Sequence, residues 1–220
     1  MYALVKHYFA DDTEMKLALY ETLHENTFMT ILGQHIDTNS ITPGKKIDLG
    51  IYTMGRWDAQ VMYKTGFYTF FLPAMCGVIV IGEELTPAVR HNLVESCLEL
   101  GRLFQGQDDY LDAYADPQVL GKIGTDIQDG KCSWLLATAL EKANDAQRAI
   151  LEQNVNIDDE TNISAVKKVF VELDLEADWL KTESTMAASI KQKYIESYAL
   201  PEPLRNTLSF LLGKLANRKK

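Results

Sequence analysis

The sequence predicts an all-α fold, and three observations carry that prediction. Apolar residues recur every three or four positions through most of the chain. Helix-capping residues stand at the starts of several of these runs. The one β-branched stretch, Val78 to Ile81, is short and merely continues a helical apolar run.

The elements follow in order. Met1 to Phe9 is a first stretch, ended by Asp11, Asp12 and Thr13, which suit a helix cap. From Met15 to His35 the residues Met15, Leu19, Leu23, Phe28 and Leu32 keep helical spacing. Asn39–Ser40 and Pro43–Gly44 turn that run into a loop. Ile51 to Tyr63 holds a helix starting near Thr53, which Gly66 is expected to interrupt before an apolar helix from Phe67 to Ile81. Gly82 closes that helix; Thr86 as cap and Pro87 in the first turn open the next, which runs to about Tyr114. After Asp116–Pro117 comes a loop, Gly121 to Lys131, with three glycines and two lysines, a composition that suits backbone close to a ligand. Helices are then expected over Cys132–Leu140, Asn144–Glu152, Glu160–Leu173, Glu176–Tyr198 and Leu204–Leu215, with a basic tail from Asn217 to Lys220.

At 220 residues, 46% hydrophobic and 24% charged, the chain can build one domain with a sizeable core, and no linker-like stretch argues for two. The net charge of -9, from 31 acidic and 22 basic side chains, argues against a nucleic-acid surface but leaves room for local lysines to bind an anion. Cys76, Cys97 and Cys132 form no pattern, which fits a reducing, cytoplasmic setting and small buried roles. No secretory signal is expected from the opening residues. The apolar run Phe67 to Gly82 is broken by Pro73 and is too short for a membrane span.

The strongest chemical signal is FQGQDDYLD, Phe104 to Asp112. Asp108 and Asp112 are one helical turn apart and share a face, and Asp109, about 100° around, is expected to reach the same side. Carboxylates this close repel and need a cation. Hard oxygen donors suit Mg2+, which also binds substrate phosphates. A solvated acidic helix face is the plain alternative. The apolar Leu103, Phe104 and Leu111, and the lysine-bearing loop that follows, favour a site.

The string from Phe104 to Leu140, FQGQDDYLDAYADPQVLGKIGTDIQDGKCSWLLATAL, resembles the second aspartate-rich region of the farnesyl diphosphate synthases, trans-isoprenyl diphosphate synthases, together with the lysine loop after it. The likeness extends over essentially the whole chain. It implies an isoprenoid-synthase-type helical bundle and head-to-tail condensation of isopentenyl diphosphate with dimethylallyl or geranyl diphosphate. It further implies three Mg2+ ions and a homodimer. By position, Asp108, Asp112 and, behind them, Asp109 resemble the metal ligands. Lys122 and Lys131 resemble diphosphate-binding lysines, and Arg218 aligns with the basic residues that close over isopentenyl diphosphate. Lys64, Thr65 and Gln105 resemble the group at the reacting centre, with Lys64 also on the diphosphate. Phe104 resembles the aromatic beside Gln105 at that centre; Gly33, Gln34 and Asp37 resemble a cavity-lining motif, and Tyr63 is a further cavity candidate. Several of these residues have plainer readings: Lys64 as a surface lysine, Tyr63 and Phe67 as core, Gly33 as a helix contact, and the tail as a solubilising end.

The family's first aspartate-rich motif, its arginine pair and its earlier GKxxR-like segment have no counterpart in this sequence; Asp11 and Asp12 do not replace them. Residues 1–220 therefore read as a single partial synthase domain, incomplete at its N-terminus. The helices Phe67–Ile81 and Pro87–Tyr114 are apolar enough to demand cover. The expected function is a prenyltransferase compromised in this form. The alternative is an inactive helical binding or regulatory partner of a full-length synthase; in either case a homodimer, or assembly with a subunit that covers the exposed helices, is expected.

Overall fold

The computed structural model describes residues 1–39, 48–116, 121, 123–216 and 218. Among them there are helices and no strands. The helices are α1 (Tyr2–Tyr8), α2 (Thr13–Thr38), α3 (Met54–Val61), α4 (Leu72–Val80), α5 (Pro87–Tyr114), α6 (Trp134–Lys142), α7 (Asp145–Asn154), α8 (Glu160–Glu172), α9 (Leu175–Ile190) and α10 (Glu202–Ala216). Two stretches of wider, π-type turns extend α3 and α9, over Met62–Phe71 and Lys191–Glu196.

The caps at Asp12 and at Thr86–Pro87 form as the sequence leads one to expect, and others form beside them. Asp12 accepts a hydrogen bond from the Met15 N–H, Thr86 from Val89 with Pro87 in the first turn, and Ser133 from Leu136. Asn144 and Gln147 cap α7 reciprocally. These bonds satisfy amide groups that a helix start otherwise leaves unpaired.

The expected break at Gly66 does not occur. Met54 to Val80 is one rod, and Gly66 lies inside its π-type stretch. The reason is packing against α5. A Cβ on Gly101 would lie 2.7 Å from the Gly66 Cα, so two glycines let the elements touch backbone to backbone. The same rod meets α2 as closely, since a Cβ on Gly33 would lie 2.1 Å from the Lys64 nitrogen. The π-type stretch is thus pressed between α2 and α5, the two longest helices.

The core has two main parts. One gathers Trp57, Trp134, Leu135, Leu151, Phe170 and Trp179. The Trp134 and Trp179 rings meet edge to face at 5.1 Å, a favoured geometry. The other gathers Phe70, Leu100, Leu103, Ile190 and Leu208, among others. On α5, a helix expected to demand cover, Leu93, Leu98, Leu103 and Leu111 are buried within the chain, and Val89 and Phe104 are partly buried. Exposed apolar surface lies instead on α2, at Leu17, Phe28, Ile31 and Leu32, on the rod at Tyr68 and Val80, and just past its end at Ile81. No described helix is long and apolar enough to cross a membrane.

Candidate active site

The pressed π-type stretch sets the site. It brings Lys64 next to the end of α2, where Asp37 is 2% exposed. One Asp37 oxygen accepts from Lys64 Nζ at 2.7 Å and from Lys131 Nζ at 3.0 Å. The other accepts from Gln60 Nε2 at 3.1 Å. Burial by itself would raise the Asp37 carboxyl, but the hydrogen bonds and charges of the two lysines outweigh it and hold the group below its ordinary value. Two ammonium groups face one carboxylate, so the cluster carries one net positive charge. Both lysine side chains keep about a third of their surface in solvent (32% and 29%), so their remaining donors can reach an anion.

Thr65 leads into a second, connected network. Its hydroxyl donates to Gln105 Oε1 at 3.0 Å. Gln105 Nε2 donates to Asp109 Oδ1 at 3.0 Å. Asp109 Oδ2 accepts from the Trp57 indole at 2.8 Å and from the Trp134 backbone N–H at 2.7 Å. Asp109 is 4% exposed, and burial, offset by these three donors, pushes its carboxyl up to about 6. The expectation that Asp109 shares a face with Asp108 is therefore corrected. Its carboxylate is turned into the core and already engaged there, so it does not join Asp108 and Asp112.

Asp108 and Asp112 do lie on the outer side of α5. Asp108 pairs with the Arg218 guanidinium, which also stacks over the Phe104 ring at 4.3 Å. Phe104 in turn meets Phe70 edge to face at 5.9 Å. The Asp112 oxygens accept from the Thr125 and Asp126 N–H groups at 3.1 and 2.9 Å. Gly124 is glycine because a Cβ there would lie 1.9 Å from the Asp112 carbonyl oxygen, so α5 itself explains this loop glycine. Both aspartates have spare lone pairs, and hard oxygen is the donor type that Mg2+ takes. Among the described residues no group of three acidic, histidine or cysteine side chains converges.

Tyr63 and Phe67 stack at 6.1 Å on the rod, and Gly33 is fixed by the crossing at Lys64. Gln34 is exposed on α2. Lys122 lies outside the described residues. Sequence reasoning missed Gln60 and Trp57. Gln60 had a signal, one helical turn before Lys64; Trp57 had none, because its partner is 52 positions away.

The Polyprenyl synthetase family model matches residues 1–173. The chain belongs to the polyprenyl synthetase family. It is similar to the farnesyl pyrophosphate synthase of Rattus norvegicus, at 38% identity over all of this chain and 61% of the relative. Farnesyl pyrophosphate synthase 1 of Lupinus albus is 38% identical over 98% of this chain and 59% of its own length. The T. brucei farnesyl diphosphate synthase complexed with risedronate superposes with a TM-score of 0.89 at 32% identity, covering 99% of this chain and 63% of that one. The all-α isoprenoid-synthase fold is thereby shown. The chain spans about three fifths of the length of these polyprenyl synthetases.

The Asp37 cluster gives a pH signature. A carboxyl held below its unfolded value of 3.8 contributes stability above that pH and loses it as pH falls through the folded value. Asp37→Asn is expected to cost about 1–3 kcal/mol at neutral pH, read from the urea midpoint. The gap to wild type should stay level down to about pH 5 and narrow below about pH 4. A gap that widens as pH falls contradicts this account of the cluster.

Proposed function

We propose that these residues form part of a prenyltransferase site that joins isopentenyl diphosphate to an allylic diphosphate, dimethylallyl or geranyl. The observation that carries this reading is the cluster of Lys64 and Lys131 on buried Asp37, with the Thr65–Gln105 pair beside it. Net positive charge and lysine side chains about a third exposed suit a diphosphate. Lys122 is proposed to join them from the adjoining loop.

In the proposed reaction the allylic carbon–oxygen bond breaks and its electron pair leaves with the diphosphate. The isopentenyl double bond then attacks the allylic cation, and a proton is lost from the adduct. Lys64 and Lys131 hold the leaving diphosphate and offset its growing charge. The Gln105 carbonyl and Thr65 oxygen present dipoles to the positive carbon. The stacked Tyr63 and Phe67 keep water from it. Arg218 is proposed to bind isopentenyl diphosphate.

Mg2+ fits the residues present as an open site. Asp108 and Asp112 supply hard oxygens one turn apart, and Asp108 already attracts a cation, the Arg218 guanidinium. With only two carboxylates, the rest of the shell would be diphosphate oxygen and water, the surroundings Mg2+ prefers. When bound, the ion would supply charge stabilisation to the leaving diphosphate.

We place the chain in the cytoplasm, in line with its three free cysteines. Activity of these 220 residues by themselves is proposed to be low, since the pair Asp108 and Asp112 provides one carboxylate wall and the longer relatives contain a further two fifths of chain. The exposed Phe28, Ile31 and Leu32 on α2 are spaced as one helical stripe and are proposed as a contact with a second copy.

Two measurements test this. The purified chain is incubated with isopentenyl and geranyl diphosphates, with and without Mg2+, and products are read by mass spectrometry. Farnesyl diphosphate is expected only with Mg2+, at a low level that Asp108→Ala reduces by about tenfold or more. Undiminished product from Asp108→Ala removes the metal role from α5. Light scattering on the same preparation should give a dimer that Ile31→Glu weakens. A clean monomer at all concentrations would sink the contact.

A further inference from the structure

We infer that Asp109 is a positioning residue of the reacting centre: it turns the Gln105 amide so that its carbonyl oxygen, and not its NH2 group, meets the Thr65 hydroxyl. This rests on the prenyltransferase reading for its purpose, though not for its geometry.

The two ends of a glutamine amide are nearly equal in size, so partners decide which end faces where. Here the partners leave one solution. The Trp57 indole and the Trp134 backbone nitrogen can only donate, and both donate to Asp109 Oδ2. They fix the carboxylate in its plane with Oδ1 aimed at Gln105. A carboxylate oxygen accepts, so Gln105 must offer Nε2, which it does at 3.0 Å. Its Oε1 is thereby turned to the other side, where it receives the Thr65 hydroxyl at 3.0 Å.

The consequence reaches the site through one more link. Thr65 donates its only hydroxyl proton to Gln105, so its buried oxygen keeps only lone pairs for any further neighbour. Thr65 directly follows Lys64, whose ammonium is held by Asp37. A cationic reacting carbon would therefore meet oxygen lone pairs and not N–H or O–H hydrogens, the polarity that stabilises it. Adjacent aspartates thus divide the work. Asp108 faces outward toward cations, and Asp109 faces inward and sets the direction of a neutral amide.

A plain structural staple would hold α3, α5 and the start of α6 together and nothing more. Asp109→Asn separates the two ideas. The asparagine keeps the shape; its oxygen must stay with the two donors, Trp57 and Trp134, so its NH2 points at Gln105. The Gln105 amide is then expected to flip, presenting NH2 to Thr65. In NMR spectra of the 15N-labelled chain, the Gln105 NH2 signals should shift and gain a contact with the Thr65 side chain that wild type lacks. Gln105 signals and contacts unchanged in folded Asp109→Asn would overturn the inference.

A second variant covers a failure to fold. Gln105→Glu combined with Asp109→Asn matches donor to acceptor at each contact again. The new asparagine amide donates to the new glutamate carboxylate, whose other oxygen accepts from Thr65. The melting temperature of this double variant should recover toward wild type, and no recovery would overturn the proposal. Calorimetry with Mg2+ and inorganic diphosphate keeps the two readings apart. Folded Asp109→Asn should bind within about twofold of wild type, whereas loss of a metal ligand, or of a residue that holds one in place, weakens binding by about tenfold or more. A tenfold loss would return Asp109 to the metal and overturn the inference. Wild type that binds no diphosphate would sink the prenyltransferase reading and leave the NMR result to decide the tether.

Discussion

A buried carboxylate with two lysines on it governs the rest of this structure. Asp37 is nearly inaccessible, and a lone charge there would be costly. Lys64 and Lys131 make it tolerable, one from the rod and one from the segment before α6. In return Asp37 brings together two like charges that would otherwise repel. The outcome is a fixed point where three parts of the chain, distant in sequence, meet and two lysines present positive charge toward solvent. Removing either partner type leaves charge unbalanced, so the cluster ties the fold to its proposed chemistry.

Backbone contact makes that point reachable. Lys64 can sit beside Asp37 because Gly33 has no side chain where the rod crosses α2, and the next crossing uses Gly66 and Gly101 in the same way. The π-type turns between these crossings place Lys64 and Thr65 next to each other with different partners, one on α2 and one on α5. A tight bundle thereby serves as the frame of a polar site. The Thr65–Gln105–Asp109 chain then runs from that site into the tryptophan-rich half of the core.

Much of the fold was legible in the sequence, because helical periodicity and caps are local. α2, α5 and α7 lie close to their expected spans, and Asp12, Thr86 and Asn144 act at their starts. Gly66 misled, since a glycine within an apolar run reads as a break unless its crossing partner, Gly101, is known. Asp109 misled for a similar reason. Helical angle alone puts it near Asp108, whereas its direction is set by Trp57 and Trp134, on other elements. The family string from Phe104 to Leu140 pointed to the correct family with no structure at all. It could not show that Lys131 and Lys64 share one carboxylate oxygen, a fact of tertiary contact.

The most direct test of the central claim is the affinity for inorganic diphosphate, with Mg2+ present, of wild type and of Lys131→Met. That substitution keeps the Lys64–Asp37 pair and lowers the cluster from one net positive charge to none. The account predicts wild-type binding that weakens with added salt, and a loss of about tenfold or more in the variant. Equal affinity in the two proteins, at every salt concentration, would contradict the role given to the cluster.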